Sequence, residues 1–306
     1  MSLTLLEAAK LSQTPLQRGV IEVFPRTSPI LERLPFLDVA SDSYKYNQEE
    51  ALPGIAFRGI GEAYTESTGV INPITETLAI MGGVSDVDRA LVKTQGNIND
   101  LRAIHDGLKA KAAALFFTKN FIKGDTDADP KGFDGLQKRL TGGQVINAGN
   151  TSGGDALTLA KLDELIDAVA GGPDVLFMNK TMRRKINTLI RAANQAVETV
   201  SDAFGRLLTA YAGVPIAVIE NDEADNPILA FDEAAPNGGN LVCCSIYAAR
   251  FGAKEYVSGL QCGKMDVLDM GLYSGGTAYR TLIEWICGVA VFHPRAAARL
   301  QGIKNA

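Results

Sequence analysis

Residues Asn97 to Lys123 carry the longest helical periodicity in the chain, and it ends abruptly. Leu101, Ile104, Leu108, Ala112, Leu115 and Phe116 recur at intervals of three and four, the spacing of one apolar face on an α-helix. A helix of that length reaches about 40 Å at ~1.5 Å per residue. Such a rod can frame a whole domain, so the remaining elements must be laid along it. Gly124 and Pro130 bar its continuation, and the stretch Gly124 to Leu136 reads as an Asp/Pro/Gly turn.

The rest of the composition is that of a globular protein. The chain has 306 residues, 46% apolar and 21% charged, enough for two domains or one elaborated domain. A net charge of −5 argues against a dedicated nucleic-acid binder, which needs a basic footprint. The longest wholly apolar run, Trp285 to Phe292, is far shorter than the ~20 residues of a membrane helix. The beginning of the chain lacks the pattern of a secretory signal. Cys243, Cys244, Cys262 and Cys287 contain no Cys-x-x-Cys pair and are expected to be reduced and mostly buried.

Around the rod the segments differ in kind. Residues 1–40 read as an arm: a short apolar helix, Leu3 to Leu11, followed by Pro15, Pro25, Pro29 and Pro35. From Tyr44 to Met81 the composition turns to Thr, Ile, Tyr, Glu and Gly, with alternation in Ile74 to Ile80, which predicts a long β-hairpin or flap. Its charged residues Glu49, Glu50, Arg58, Glu62, Glu66 and Glu76 suggest that it lacks a core of its own. After the rod, Leu162, Leu165, Ile166 and Val169 mark a helix ended by Gly171-Gly172-Pro173. Asp174 to Met178 reads as a buried strand, with Asn179 as N-cap of a helix whose apolar face is Met182, Ile186, Leu189, Ile190 and Ala193. Further strands are expected at Val214 to Ile219, Leu241 to Ala248, near Met265 to Met270, and at Tyr279 to Phe292 before the tail His293-Pro294-Arg295-Ala296.

Several motifs suggest chemistry and fail on their geometry. Asp125, Asp127 and Asp129 match the first ligand positions of an EF-hand loop. The obligatory Gly of the sixth position is Pro130, and the bidentate Glu of the twelfth is Leu136. Gly59-Ile60-Gly61 lacks the third glycine of a dinucleotide fingerprint, and the Gly149 to Gly154 cluster lacks the Lys-Ser/Thr of a P-loop. His105 falls at the boundary of the rod's apolar face, and His293 has no Gly-x-Ser-x-Gly nucleophile to serve. Arg183, Arg184, Lys185 and Arg191 read as a solvated helix face. No catalytic, cofactor-binding or metal-binding residue is assigned, and no enzyme activity is expected.

The order of these phrases resembles the major capsid protein of tailed bacteriophages with the Hong Kong 97-type fold. The carriers are Val84-Ser85-Asp86 before the rod, Phe121-Ile122-Lys123-Gly124-Asp125 at its end, and Pro130-Lys131-Gly132-Phe133-Asp134-Gly135-Leu136 after it. Val175 to Thr181, Tyr211-Ala212-Gly213-Val214-Pro215 and Glu284 to Pro294 follow in the family's order. The resemblance implies an α+β Hong Kong 97-type capsid fold with a long spine helix. It further implies an N-terminal arm (1–40), an extended β-hairpin loop (41–81), a peripheral domain (82–140 and 270–306) and an axial domain (141–269). The implied function is structural: hexamers and pentamers of the chain close into the icosahedral shell around the double-stranded DNA of a tailed phage, in a virion assembled in the host bacterial cytoplasm. The implied partners are the chain itself, scaffolding, portal and decoration proteins, and weak nonspecific contact with packaged DNA, with no membrane. Some members of that family carry a long N-terminal helical scaffolding segment; the resemblance does not include one here, so a separate scaffolding protein or another route is expected. No Lys lies between Lys45 and Lys93, so no isopeptide cross-link from the flap is expected either. The alternative within the fold is an encapsulin-type cellular compartment; the alternative outside it is an α/β enzyme with an unrecognised site.

Overall fold

The computed structural model describes residues 28–91, 98–194, 196–201, 207–239, 242–273 and 275–305. The expected Leu3–Leu11 helix lies outside them. The rod is helix α1, Ile98–Lys123. Gly124 ends it and Gly135 brings the chain back beside it: Gly135 N–H donates to Gly124 O at 2.9 Å. A Cβ on Gly124 would overlap the carbonyl oxygens of Phe133 and Asn120, and one on Gly135 would meet the same Asn120 oxygen. The close return therefore requires glycine at both positions. Helix α2, Leu136–Arg139, follows directly.

The buried face of α1 is not the one that its large aliphatic residues mark. Asp106, Ala110, Ala114, Phe117, Thr118, Phe121 and Ile122 are buried, whereas Ile104, Leu108 and Phe116 are 59%, 60% and 41% exposed. Two faces of this helix satisfy the three-and-four spacing. The one lined with alanines wins because small residues let the helix axis approach the sheet while Phe117 and Phe121 fill the space between. Phe117 lies 5.3 Å from Trp285, 5.7 Å from Phe133 and 6.0 Å from Phe36, ring centre to ring centre.

Two sheets surround this cluster. The first has five strands: β1 (Phe36–Asp38), β4 (Ala79–Asp88), β11 (Val257–Gln261), β12 (Asp266–Tyr273) and β13 (Ala278–Val291). The long β13 is its axis, pairing antiparallel with β4 from Cys287↔Ala79 to Ala278↔Asp88 and with β11 and β12. The second has seven strands in the order β5-β14-β10-β6-β9-β8-β7. In chain order these are β5 (Val145–Asn147), β6 (Val175–Met178), β7 (Glu198–Ser201), β8 (Leu207–Tyr211), β9 (Val214–Val218), β10 (Cys243–Ala249) and β14 (Ala297–Lys304). Helices α3 (Leu159–Ala168) and α4 (Lys180–Ala192) cover it, burying Leu162, Leu165, Met182, Ile186 and Ile190. Asn179 caps α4 as its sequence predicts, its side chain accepting from Met182 N–H at 2.8 Å. A two-stranded hairpin, β2 (Ser43–Ala51) with β3 (Val70–Thr77), stands apart from both sheets.

The sheets divide the chain differently from the expected domain limits. β11, inside the expected axial segment 141–269, belongs to the five-stranded sheet. β14, inside the expected peripheral segment 270–306, pairs with β5 and β10 in the seven-stranded one. β1, in the arm, pairs in parallel with β11, and the flap gives way at Ala79 to the body strand β4 rather than at Met81. Strand pairing is non-local, so limits read along the sequence do not follow it strand by strand. One core joins the sheets: Phe117, Phe121 and Trp285 share a cluster with Phe177, Tyr247 and Ala297.

Candidate assembly surface

The hairpin β2–β3 carries a polar, Thr- and Tyr-rich sequence, and a two-stranded ribbon of that kind is at best marginally stable by itself. Between its strands, residues 52–69 form an irregular tip with no named helix or strand. Ile55, Phe57 and Ile60 are fully exposed there, and Leu52 and Tyr64 largely so. Two charges of the tip, Arg58 and Glu62, make contacts within it. Glu62 accepts from Gly59 N–H at 2.8 Å, Arg58 donates to the Glu62 carbonyl at 3.1 Å, and the Arg58 guanidinium lies 5.2 Å from the Tyr64 ring centre. The tip thus presents exposed apolar side chains beside the exposed charges Arg58, Glu62 and Glu66.

At its base the hairpin is tied to the body. Glu76 is buried and accepts two bonds from Arg139 of α2, at 2.5 and 2.7 Å. Arg139 Nε in turn donates to the Asp134 carbonyl at 2.6 Å. The Tyr46 hydroxyl lies 3.0 Å from the Val291 carbonyl and 3.2 Å from Glu76 Oε1. Burial, and after it the Glu76 charge, hold the phenol well above its usual pKa, so it stays a neutral donor. Its ring packs on Phe292 with centres 4.6 Å apart. The alternation Ile74-x-Glu76-x-Leu78 already places Glu76 on the inward face, a signal that a partner must exist; nothing in the sequence identifies Arg139.

The acidic junction is occupied from within the chain. Lys138 Nζ sits 2.6 Å from Asp125, 2.9 Å from Asp127 and 3.2 Å from Asp134. Hydrogen bonding to Asp125 first, then to Asp127, raises the ammonium pKa, and the same bond lowers that of Asp125. Asp129 faces elsewhere, accepting from Lys131 N–H at 3.1 Å. Among the described residues, no group of three or more His, Cys, Asp or Glu is placed to hold a metal ion.

The remaining sequence candidates do not converge. His105 and His293 are exposed, on α1 and beyond β13. Gly153 N–H bonds to the Gly238 carbonyl, and Gly61 sits at the flap tip, both as turns. Cys243, Cys244 and Cys287 are buried free thiols, and burial pushes Cys244 up to about 12. On α4, Lys185 is bound to the Lys304 carbonyl at 2.9 Å rather than held free. Sequence reasoning missed a buried set: Arg299 of β14 donates to Glu233 and to Ser245, each at 2.9 Å, and the Ser245 hydroxyl donates to Glu233. Among the described residues, no helix is long and apolar enough to cross a membrane.

Comparison with known proteins agrees with this geometry. Residues 14–159 match the family described as major capsid protein GP7. Among solved structures, the holo-SrpI encapsulin complex from Synechococcus elongatus is similar over 100% of this chain and 98% of that one, at 17% identity and a TM-score of 0.68. The capsid of the native GTA particle matches at 16% identity, 90% coverage of both chains and 0.62. The cyanophage A-1(L) capsid matches at 13% identity, covering 90% of this chain and 93% of that one, with 0.59. A search of curated protein sequences gave no match. With that fold, and a GP7 match over residues 14–159, the chain has the Hong Kong 97-type capsid fold.

Proposed function

We propose that this chain is the major capsid protein of a tailed bacteriophage. Copies of it assemble as hexamers and pentamers into the icosahedral shell that holds the double-stranded DNA genome. The observation that carries the reading is the flap: an apolar tip, fully exposed on the single chain, at the end of a hairpin that has no core of its own. Burying one Ile or Phe side chain contributes roughly 1.5–3 kcal/mol, whereas an exposed ion pair contributes about 0.2–1 kcal/mol. Apolar burial of the tip against a neighbouring copy therefore drives association, and the charges of the tip shape its turn. The five-stranded sheet with α1 serves as the peripheral domain and the seven-stranded sheet as the axial one. Scaffolding, portal and decoration proteins are the further partners, and assembly takes place in the bacterial cytoplasm. A net charge of −5 keeps contact with packaged DNA weak and sensitive to salt.

Deleting residues 54–69 tests this reading. The expected result is a folded, soluble chain that builds no shells; normal particles from the deletion would sink it. The second reading, an encapsulin-type compartment, is favoured by the full-length likeness to the SrpI shell; the GP7 sequence match favours the phage. Particles purified from the native source decide between them. Nuclease-protected DNA inside supports the phage shell, and an enclosed protein cargo supports the compartment.

A further inference from the structure

The hairpin β2–β3 meets the body at its base, where Tyr46 and Gln48 reach the Val291 carbonyl and Glu76 forms an ion pair with Arg139. Glu76 is 8% exposed, and both of its oxygens are held by the two terminal nitrogens of Arg139. A forked pair of this kind fixes an angle as well as a distance. Arg139 is not free to follow the flap, because its Nε is bound to the Asp134 carbonyl and the flanking Leu136 and Leu140 are buried. Its short helix is bonded through Gly135 to Gly124 at the end of the spine. Spine, junction, Arg139 and Glu76 thus form one bonded series that ends in the flap strand.

We infer that Arg139 is a positioning residue for assembly: by gripping Glu76 it sets the direction in which the flap leaves the subunit, and so the curvature into which copies close. This rests on the shell-forming reading above. The leverage is large. The nine residues of β2 span about 30 Å at ~3.3 Å per residue, so a rotation of about 10° at the base moves the tip by about 5 Å. Apolar contact is lost over roughly 4–4.5 Å. A flap free at its base would therefore reach its neighbour at several angles rather than one.

The test compares the parent chain with Arg139→Gln, Glu76→Gln and Arg139→Lys. Amide hydrogen exchange is read on unassembled subunits, and particle diameters are read by electron cryomicroscopy. In Arg139→Gln and Glu76→Gln, exchange of the β2 and β3 amides should rise by about tenfold or more, with β13 and β14 unchanged. Particle diameters should spread or shift to aberrant forms at equal subunit stability. Arg139→Lys, which keeps the charge and loses the fork, should narrow the spread only in part. Shells of the parent diameter from both Gln variants would overturn the inference alone. Unfolding of both variants would assign the pair to core stability and overturn it as well. A parent chain that forms no particles would overturn the shell-forming reading and this inference with it.

Discussion

Phe57→Ser separates assembly from folding. Phe57 is fully exposed at the flap tip and has no ring contact with the body among the described residues, so its removal costs the free subunit nothing beyond the roughly 0.5 kcal/mol scatter of surface substitutions. In a shell, where a neighbour covers the tip, the same change forfeits the burial of one aromatic side chain, about 1.5–3 kcal/mol for each interface. At 1.4 kcal/mol per decade, the protein concentration at which shells appear should rise by about ten- to a hundredfold. The assay is a concentration series scored by sedimentation or light scattering, with thermal unfolding of the dilute subunit alongside. The opposite pattern, a fall in the unfolding midpoint with an unchanged threshold for shells, would refute the argument, because it would mean that the tip packs on its own subunit.

Three further substitutions probe the body. Trp285→Ala removes the indole shared by Phe36 and Phe117 and should cost about 3–5 kcal/mol, read as a lower urea midpoint. Arg299→Met leaves the Glu233 carboxylate buried without its cation and should cost about 3–5 kcal/mol, part of which Glu233→Gln in the same chain should return. Lys138→Met removes the counter-ion shared by Asp125, Asp127 and Asp134. Because Lys138 holds the Asp125 pKa below its ordinary value, the stabilisation is present above the ordinary carboxylate range and is lost as pH falls through the lowered folded value. The melting temperatures of parent and variant should differ at neutral pH and converge below about pH 4; a gap that persists in acid would show that Lys138 acts by packing instead.

Legibility in the sequence followed the range of the interactions. Elements defined by local periodicity and caps were readable: the spine, the Asn179-capped helix, the strands at Val175, Val214 and Ala278, and the flap. Failures came where a partner far along the chain decides. β14 was missed because Arg299 and Gly302 interrupt its apolar pattern, yet Arg299 is there to meet Glu233. β11 was missed because Gly259 breaks its signal, though the Phe36 ring occupies the space that a Cβ would need. The spine's inward face was misassigned for a related reason: hydrophobicity favoured Leu108 and Ile104, while close packing on β4 and β13 required Ala110 and Ala114. Pro130 and Leu136 mark the acidic junction as a turn, but its occupant, Lys138, depends on a turn geometry that the sequence does not spell out.

The flap joins these two kinds of information. Its strands are in regular register from Ser43↔Thr77 to Asn47↔Pro73, but a two-stranded ribbon gains little from pairing alone. Order at its base comes from burial of Glu76 and packing of Tyr46 on Phe292, both contacts with the body. Order at its tip has no such source among the described residues, because the apolar side chains there face solvent. An exposed apolar segment on a soluble subunit is an aggregation hazard unless something covers it. In the proposed shell, a fixed base and an uncovered tip would resolve that hazard only together: the base would aim the tip at one place on a neighbour, and closed symmetry would give every tip such a neighbour. A subunit with the base loosened would keep the hazard and lose the aim, so the ion pair at residues 76 and 139 and the apolar tip must be altered separately to tell adhesion from direction.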